Sequence, residues 1–127
     1  MLGQIRVLLA DDLPEIRQLV RTNLEFDGRF EIVGEAANGL EAVDLVTEHR
    51  PDVVVLDLAM PEMDGLAAIS RINQVAPGTK IVVLSAFPDD YNSGLVTSLG
   101  AHAFIEKDRP MDELIDAIVG VAGVPAV

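Results

Sequence analysis

The chain of 127 residues contains no cysteine and no tryptophan, and aromatic residues make up only 4% of it. The lack of cysteine excludes disulfide bonds and thiolate metal sites. Basic residues are also scarce: 9 Lys and Arg stand against 21 Asp and Glu, which gives a formal net charge of −12. Because such a surface repels phosphate backbones and anionic lipid, we expect no direct nucleic-acid binding and no membrane contact by this domain.

Long apolar runs are lacking as well. The run Val7-Leu8-Leu9-Ala10 stops at Asp11, which is too short for a signal peptide, and no run reaches the roughly 18 to 20 residues of a membrane span. We therefore expect a cytoplasmic protein. With 50% hydrophobic residues, the sequence argues against disorder. Its length predicts a single domain over residues 1–127, with a core over about 5–122 and a tail or the start of a linker over 120–127.

Short apolar runs alternate with segments of helical period along the whole chain. The runs predict strands over Ile5–Ala10, Phe30–Gly34, Val53–Leu56, Lys80–Leu84 and His102–Ile105. A helical segment follows each strand, and the fourth, Asp89–Leu99, is the weakest because it contains Gly94. Five repeats of strand and helix predict an α/β fold, a doubly wound parallel sheet with helices on both faces.

Polar residues end the predicted strands. Asp11 and Asp12 follow the first strand, Asp57 the third, Ser85 the fourth and Lys107 the fifth. Because doubly wound sheets bind ligands beyond the carboxyl ends of their strands, we expect these side chains to converge. Three carboxylates without His or Cys favour a hard ion, Mg²⁺ before Ca²⁺. Asp57 is then a candidate nucleophile at phosphorus, with Ser85 and Lys107 binding two oxygens of the phosphoryl group.

Several of these residues also have a simpler interpretation, and Asp57 could be a turn residue that closes the third strand. Asp12 precedes Leu13-Pro14-Glu15 and is a good candidate N-cap for the first helix, a role compatible with metal binding. Ser85 could merely satisfy a backbone group, and Lys107 could be an ordinary solvated lysine. The coincidence of all of them at strand ends favours the functional interpretation.

The same segments resemble the receiver domain of two-component response regulators, of the CheY-like type, over about Ile5 to Ala122. The matching motifs are Leu8-Leu9-Ala10-Asp11-Asp12, the stretch Asp57 to Gly65, Val83-Leu84-Ser85-Ala86 and the stretch Gly100 to Lys107. The resemblance implies a flavodoxin-like fold with five parallel strands in the order 2-1-3-4-5 and five helices in two layers. Lys107-Asp108 followed by Pro110 is similar to the subfamily that carries a helix-turn-helix output domain.

The resemblance also implies a role for each site residue. Asp57 would accept the phosphoryl group. Asp12, Asp57 and the backbone carbonyl of Ala59 would bind Mg²⁺ directly, and Asp11 would bind it through water. Ser85 and Phe104 would be the switch pair, and Lys107 would bind the phosphoryl group.

Partners follow from the same resemblance. A histidine kinase or a histidine phosphotransfer protein would donate the phosphoryl group, and an output domain or downstream protein would receive the signal. A homodimer would form through the face of the fourth helix, fifth strand and fifth helix, or through the face of the first and fifth helices.

Two departures from the family pattern concern access of water to the site. Ala59 stands where Asn is frequent, and Phe87 replaces what is often a polar residue. Since an apolar pair neither orients nor admits water well, we expect a long-lived phosphoryl group and slow autodephosphorylation. Two alternatives stay open: a phosphorylation-independent interaction module, and a hydrolase of the haloacid-dehalogenase kind. The second normally needs an Asp at the position of Ala59.

Overall fold

The computed structural model describes residues 3–58, 63, 65–85 and 93–123. Strands and helices alternate without exception along these residues. The strands are β1 (Ile5–Ala10), β2 (Phe30–Ala36), β3 (Val53–Asp57), β4 (Lys80–Ser85) and β5 (Ala103–Glu106). The helices are α1 (Pro14–Asp27), α2 (Gly39–His49), α3 (Gly65–Val75), α4 (Ser93–Ser98) and α5 (Met111–Ala122).

The five strands form one sheet in the order β2-β1-β3-β4-β5, and every neighbouring pair is parallel. This confirms the predicted fold class and strand order. β1 and β3 lie near the centre, and their register pairs Ala10 with Leu56. The ends of β1, β3, β4 and β5 therefore lie along one edge of the sheet.

Two hydrophobic layers cover the two faces of the sheet. The side chains of β3 alternate between these layers. Val53 and Val55 pack toward α1 and α5, whereas Val54 and Leu56 pack toward α2, α3 and α4. Because side chains alternate between the faces of a strand, continuous apolar runs are what a sheet covered on both faces requires. The five helices thus lie in two layers, as expected.

Several boundaries differ from the sequence prediction. β2 continues to Ala36, β3 to Asp57 and β4 to Ser85, while β5 begins one residue later than predicted, at Ala103. α4 is described over Ser93–Ser98, and the earlier part of its predicted range lies outside the described residues. None of the helices in the described part of the chain is long and apolar enough to cross a membrane.

The predicted cap of α1 was wrong. Leu13, not Asp12, is the N-cap residue, and no side chain caps that position. The reason is local: Pro14 occupies the first helical turn, and the Leu13 backbone N–H donates to Asp11 Oδ1 at 2.9 Å. The Asp12 carboxylate therefore does not cap α1.

Candidate phosphoryl and metal site

Three carboxylates meet where the central strands end. Asp11 directly follows β1 and Asp57 is the last residue of β3, so the parallel register brings them to one edge. One carboxylate oxygen from each of Asp11, Asp12 and Asp57 lies within 4.8 Å of the others. Asp11 and Asp57 are only 4% and 3% exposed, whereas Asp12 is more open to solvent.

Lys107, which follows β5, places its ammonium group in this cluster. Nζ lies 3.0 Å from Asp11 Oδ2 and 3.4 Å from Asp57 Oδ1. Burial alone would lower the pKa of Lys107, but its contact with Asp11, in which the ammonium is the donor, and the charges of Asp57 and Asp11 outweigh burial and raise the pKa. Lys107 is therefore fully charged near neutral pH.

The charge of the cluster is suited to a divalent cation. Three carboxylates and one ammonium group give the cluster a formal charge of −2, and two of the carboxylates are buried. Asp11 Oδ2 is buried and lacks a donor with good hydrogen-bond geometry among the described residues, although Lys107 Nζ is near it. Oxygen ligands without His or Cys are the set that Mg²⁺ prefers. These residues therefore fit the predicted ion.

Ser85 is the last residue of β4, next to both β3 and β5 in the sheet. It is 2% exposed, and its carbonyl oxygen accepts a hydrogen bond from the Lys107 backbone N–H at 2.8 Å. This bond ties the end of β4 to the residue that carries the ammonium group. Phe104 lies in β5 opposite Val83 and is partly buried against the α2–α3–α4 layer. Ala59 and Phe87 lie outside the described residues.

Gly65 packs closely against the backbone at the end of β3. Gly65 begins α3, and its backbone N–H donates to the Leu58 carbonyl at 2.9 Å. A Cβ at this position would lie 2.4 Å from Leu58 Cα and 2.7 Å from the Asp57 carbonyl oxygen. Glycine thus allows α3 to begin in direct contact with the backbone of Asp57 and Leu58.

Arg17 and Glu35 were not predicted from the sequence to belong to the site. Arg17 Nη1 donates to the Asp11 carbonyl oxygen at 2.6 Å, and Nε donates to Glu35 Oε1 at 3.0 Å. The available signal was weak: a glutamate near the end of β2, and an arginine one turn into α1. Only the pairing of β1 with β2 brings the two side chains together.

Comparisons with known proteins identify a match over most of the chain. The family model described as "Response regulator receiver domain" matches residues 7–119. The chain is 39% identical over 111 residues to the uncharacterized transcriptional regulatory protein YhcZ of Bacillus subtilis, covering 87% of this chain and 52% of that protein. It is 38% identical over 117 residues to the chemotaxis protein CheY of Listeria monocytogenes, covering 90% of this chain and 95% of that protein.

A solved structure agrees with the sequence matches. The signal receiver domain of the response regulator NarL from Mycobacterium tuberculosis superposes with a TM-score of 0.88 at 30% identity, covering 98% of this chain and 100% of that one. The chain spans about half the length of several transcriptional regulators that it matches, and nearly all of the chemotaxis protein.

Proposed function

Because this chain belongs to the response regulator receiver family, we propose that it accepts a phosphoryl group on Asp57 and that Mg²⁺ assists the transfer. Members of the family are signalling receivers of two-component systems and are not turnover enzymes. The observation that carries the proposal is the contact of Lys107 Nζ with Asp57 Oδ1 at 3.4 Å, inside a cluster of three carboxylates.

The donor is a phosphohistidine on a histidine kinase or phosphotransfer protein. An Asp57 carboxylate oxygen attacks phosphorus, the P–N bond to the imidazole breaks, and the bonding electron pair returns to that nitrogen, which takes up a proton. The product is an acyl phosphate on Asp57. No sequence motif for ATP binding is present, so the donor must bring an activated phosphoryl group.

Asp12, Asp57 and the Ala59 backbone carbonyl would hold the cation directly, and Asp11 through water. When bound, Mg²⁺ neutralises charge on the transferring phosphoryl oxygens. Lys107 would neutralise a second oxygen, and the Ser85 hydroxyl would donate a hydrogen bond to a third. The contacts of Lys107 Nζ with Asp11 and Asp57 support this role, because they place the ammonium group beside the carboxylate that would accept the phosphoryl group.

Phosphorylation would change the conformation of the surface formed by α4, β5 and α5. An acyl phosphate carries about two negative charges where the carboxylate carried one. Pairing the new oxygens draws Ser85 inward, and Phe104 turns into the space that this movement opens. The phosphoryl contacts shift the equilibrium between two packings of this surface. An output domain or a second copy of the chain can bind one packing in preference to the other.

Incubation with acetyl phosphate and Mg²⁺ tests the proposal, with intact mass as the readout. We expect a gain of one phosphoryl group in the native chain, and no gain in Asp57→Asn or in the presence of EDTA. A native chain that stays unmodified, while it remains folded and binds Mg²⁺, would indicate a phosphorylation-independent interaction module instead.

A further inference from the structure

Arg17 and Glu35 form a charged bridge that joins the loop carrying Asp11 and Asp12 to β2, an edge strand of the sheet. Arg17 Nη1 donates to the Asp11 carbonyl oxygen at 2.6 Å, while Nε of the same guanidinium pairs with Glu35 Oε1 at 3.0 Å. The exposed fractions of the Arg17 and Glu35 side chains are 18% and 28%. The bridge therefore joins α1, the end of β1 and β2 in a partly buried environment.

Glu35 determines where the Arg17 guanidinium lies. A guanidinium is planar and presents its donors in a fixed fork, so pairing at Nε also fixes the direction of Nη1. Glu35 accepts in addition from Arg21, which itself pairs with Glu25 at 3.4 Å. Both Glu35 carboxylate oxygens are thus occupied, and the side chain has little freedom to move.

Arg17 also lines a narrow crevice together with Asp11 and Asp57. At this crevice, Nη1 of the guanidinium donates to the neutral Asp11 carbonyl and Nε donates to Glu35. If Glu35 lost its charge, the guanidinium would be free to turn toward the carboxylates. Such a turn would remove the support of the Asp11 backbone and would add a cation that competes with Mg²⁺. Both effects would weaken Mg²⁺ binding.

We propose that Arg17 and Glu35 are positioning residues for the Mg²⁺ site. Glu35 holds the Arg17 guanidinium on the Asp11 carbonyl, which fixes the loop that carries Asp11 and Asp12 and keeps a competing cation away. This inference rests on the proposed function, because it concerns the ion that the proposed phosphoryl transfer needs. Groups that orient metal ligands commonly change metal affinity by about 10-fold or more when they are replaced.

Calorimetric titration of the metal-free chain with Mg²⁺ tests the inference. We expect Glu35→Gln to weaken Mg²⁺ binding by about 10-fold, the lower end of the range for such groups. Glu25→Gln is the matched control, because it removes the same charge and the same kind of Arg21 contact but does not touch Arg17. We expect its affinity to stay within about twofold of the native value, as for an exposed ion pair.

Arg17→Lys provides a second variant that keeps the positive charge but cannot bridge two acceptors in the same geometry. We expect a loss similar to that of Glu35→Gln, and little further loss when the two substitutions are combined, since both break one bridge. The rate of phosphorylation by acetyl phosphate should return to the native value at saturating Mg²⁺. A merely structural defect would lower the rate at every Mg²⁺ concentration.

Several outcomes would overturn the inference. Native Mg²⁺ affinity in Glu35→Gln, or an equal loss in Glu25→Gln, would contradict it. Failure of both Glu35→Gln and Arg17→Lys to fold without metal would assign a purely structural role to the bridge. Each of these leaves the proposed function standing if the native chain binds Mg²⁺ and is phosphorylated, whereas a native chain that does neither refutes the proposed function itself.

Discussion

Replacing Lys107 with methionine tests the electrostatic description of the site. Methionine has nearly the length of lysine without the charge, so the substitution leaves three carboxylates with no described cation among them. Asp11 and Asp57 are 4% and 3% exposed, and the Lys107 side chain itself is 15% exposed. Removing one partner of a buried ion pair typically costs about 3 to 5 kcal/mol.

The cost has an upper bound, because the cluster can take up a proton instead. An ordinary aspartate has a pKa near 3.9, and holding its proton at pH 7 costs about 4 kcal/mol at about 1.4 kcal/mol per pH unit. Water entering the partly exposed side of the cluster lowers the cost further. We therefore expect Lys107→Met to reduce the free energy of unfolding by about 2 to 4 kcal/mol in EDTA.

Denaturant unfolding at pH 7.5 and pH 5, in EDTA and in excess Mg²⁺, is the assay. The raised pKa of Lys107 means that its stabilising contribution is complete at pH 7.5 and is lost only above its ordinary value of 10.5. The reduction in the free energy of unfolding caused by Lys107→Met should be smaller at pH 5, where carboxylates take up protons more easily. It should also be smaller in excess Mg²⁺, which replaces the missing positive charge. Arg109→Met is the control, because Arg109 pairs with Glu113 on the surface. A loss that depends on neither pH nor Mg²⁺ would refute this reasoning.

Three further predictions concern other parts of the chain. Ala59→Asn should shorten the lifetime of the phosphoryl group by orienting water, and an unchanged rate of phosphate release would contradict this. Gly39→Ala places a Cβ 1.9 Å from the Met63 carbonyl oxygen and should lower the free energy of unfolding by about 1 to 3 kcal/mol. Gly120→Ala, in α5 with open space around it, should instead be neutral or stabilising in the same denaturant assay. The Ile81 backbone N–H donates to His102 Nδ1 at 3.0 Å, and burial, then the charge of Lys80, lowers the pKa of His102. As the pH falls, His102 therefore takes up a proton in the unfolded chain before it does so in the folded chain. The free energy of unfolding should fall as the pH falls below about 6.5. His102→Gln should flatten the dependence of the free energy of unfolding on pH in that range.

The sheet could be predicted from the sequence because its signals are local. The run Val53–Leu56 is continuously apolar and mostly β-branched, and it forms a strand covered on both faces. Since all the strands are parallel, the residues that end them must share one edge, and Asp11, Asp57 and Lys107 do lie together there. The strand order itself came from the resemblance to a family and not from the period of the apolar residues.

Other features depend on tertiary contacts that the sequence does not encode locally. Leu19 and Leu40 fit a helical apolar stripe, yet they are 52% and 48% exposed because they lie at the margins of the buried faces of α1 and α2. The Arg17–Glu35 bridge forms only once β2 lies beside β1, because 18 residues separate the two side chains. The cap of α1 was predicted at Asp12, whereas Leu13 is the N-cap residue and no side chain caps the helix, because Pro14 begins it and the Leu13 backbone N–H donates to Asp11 Oδ1.

Identification of the phosphorylated residue tests the central claim most directly. After incubation with acetyl phosphate and Mg²⁺, borohydride reduces an acyl phosphate on aspartate to homoserine, which peptide mass spectrometry locates in the chain. We predict homoserine at position 57 and unmodified aspartate at positions 11 and 12. Homoserine at position 11 or 12, or none in a chain that binds Mg²⁺, would contradict the assignment of Asp57 as the phosphoryl acceptor.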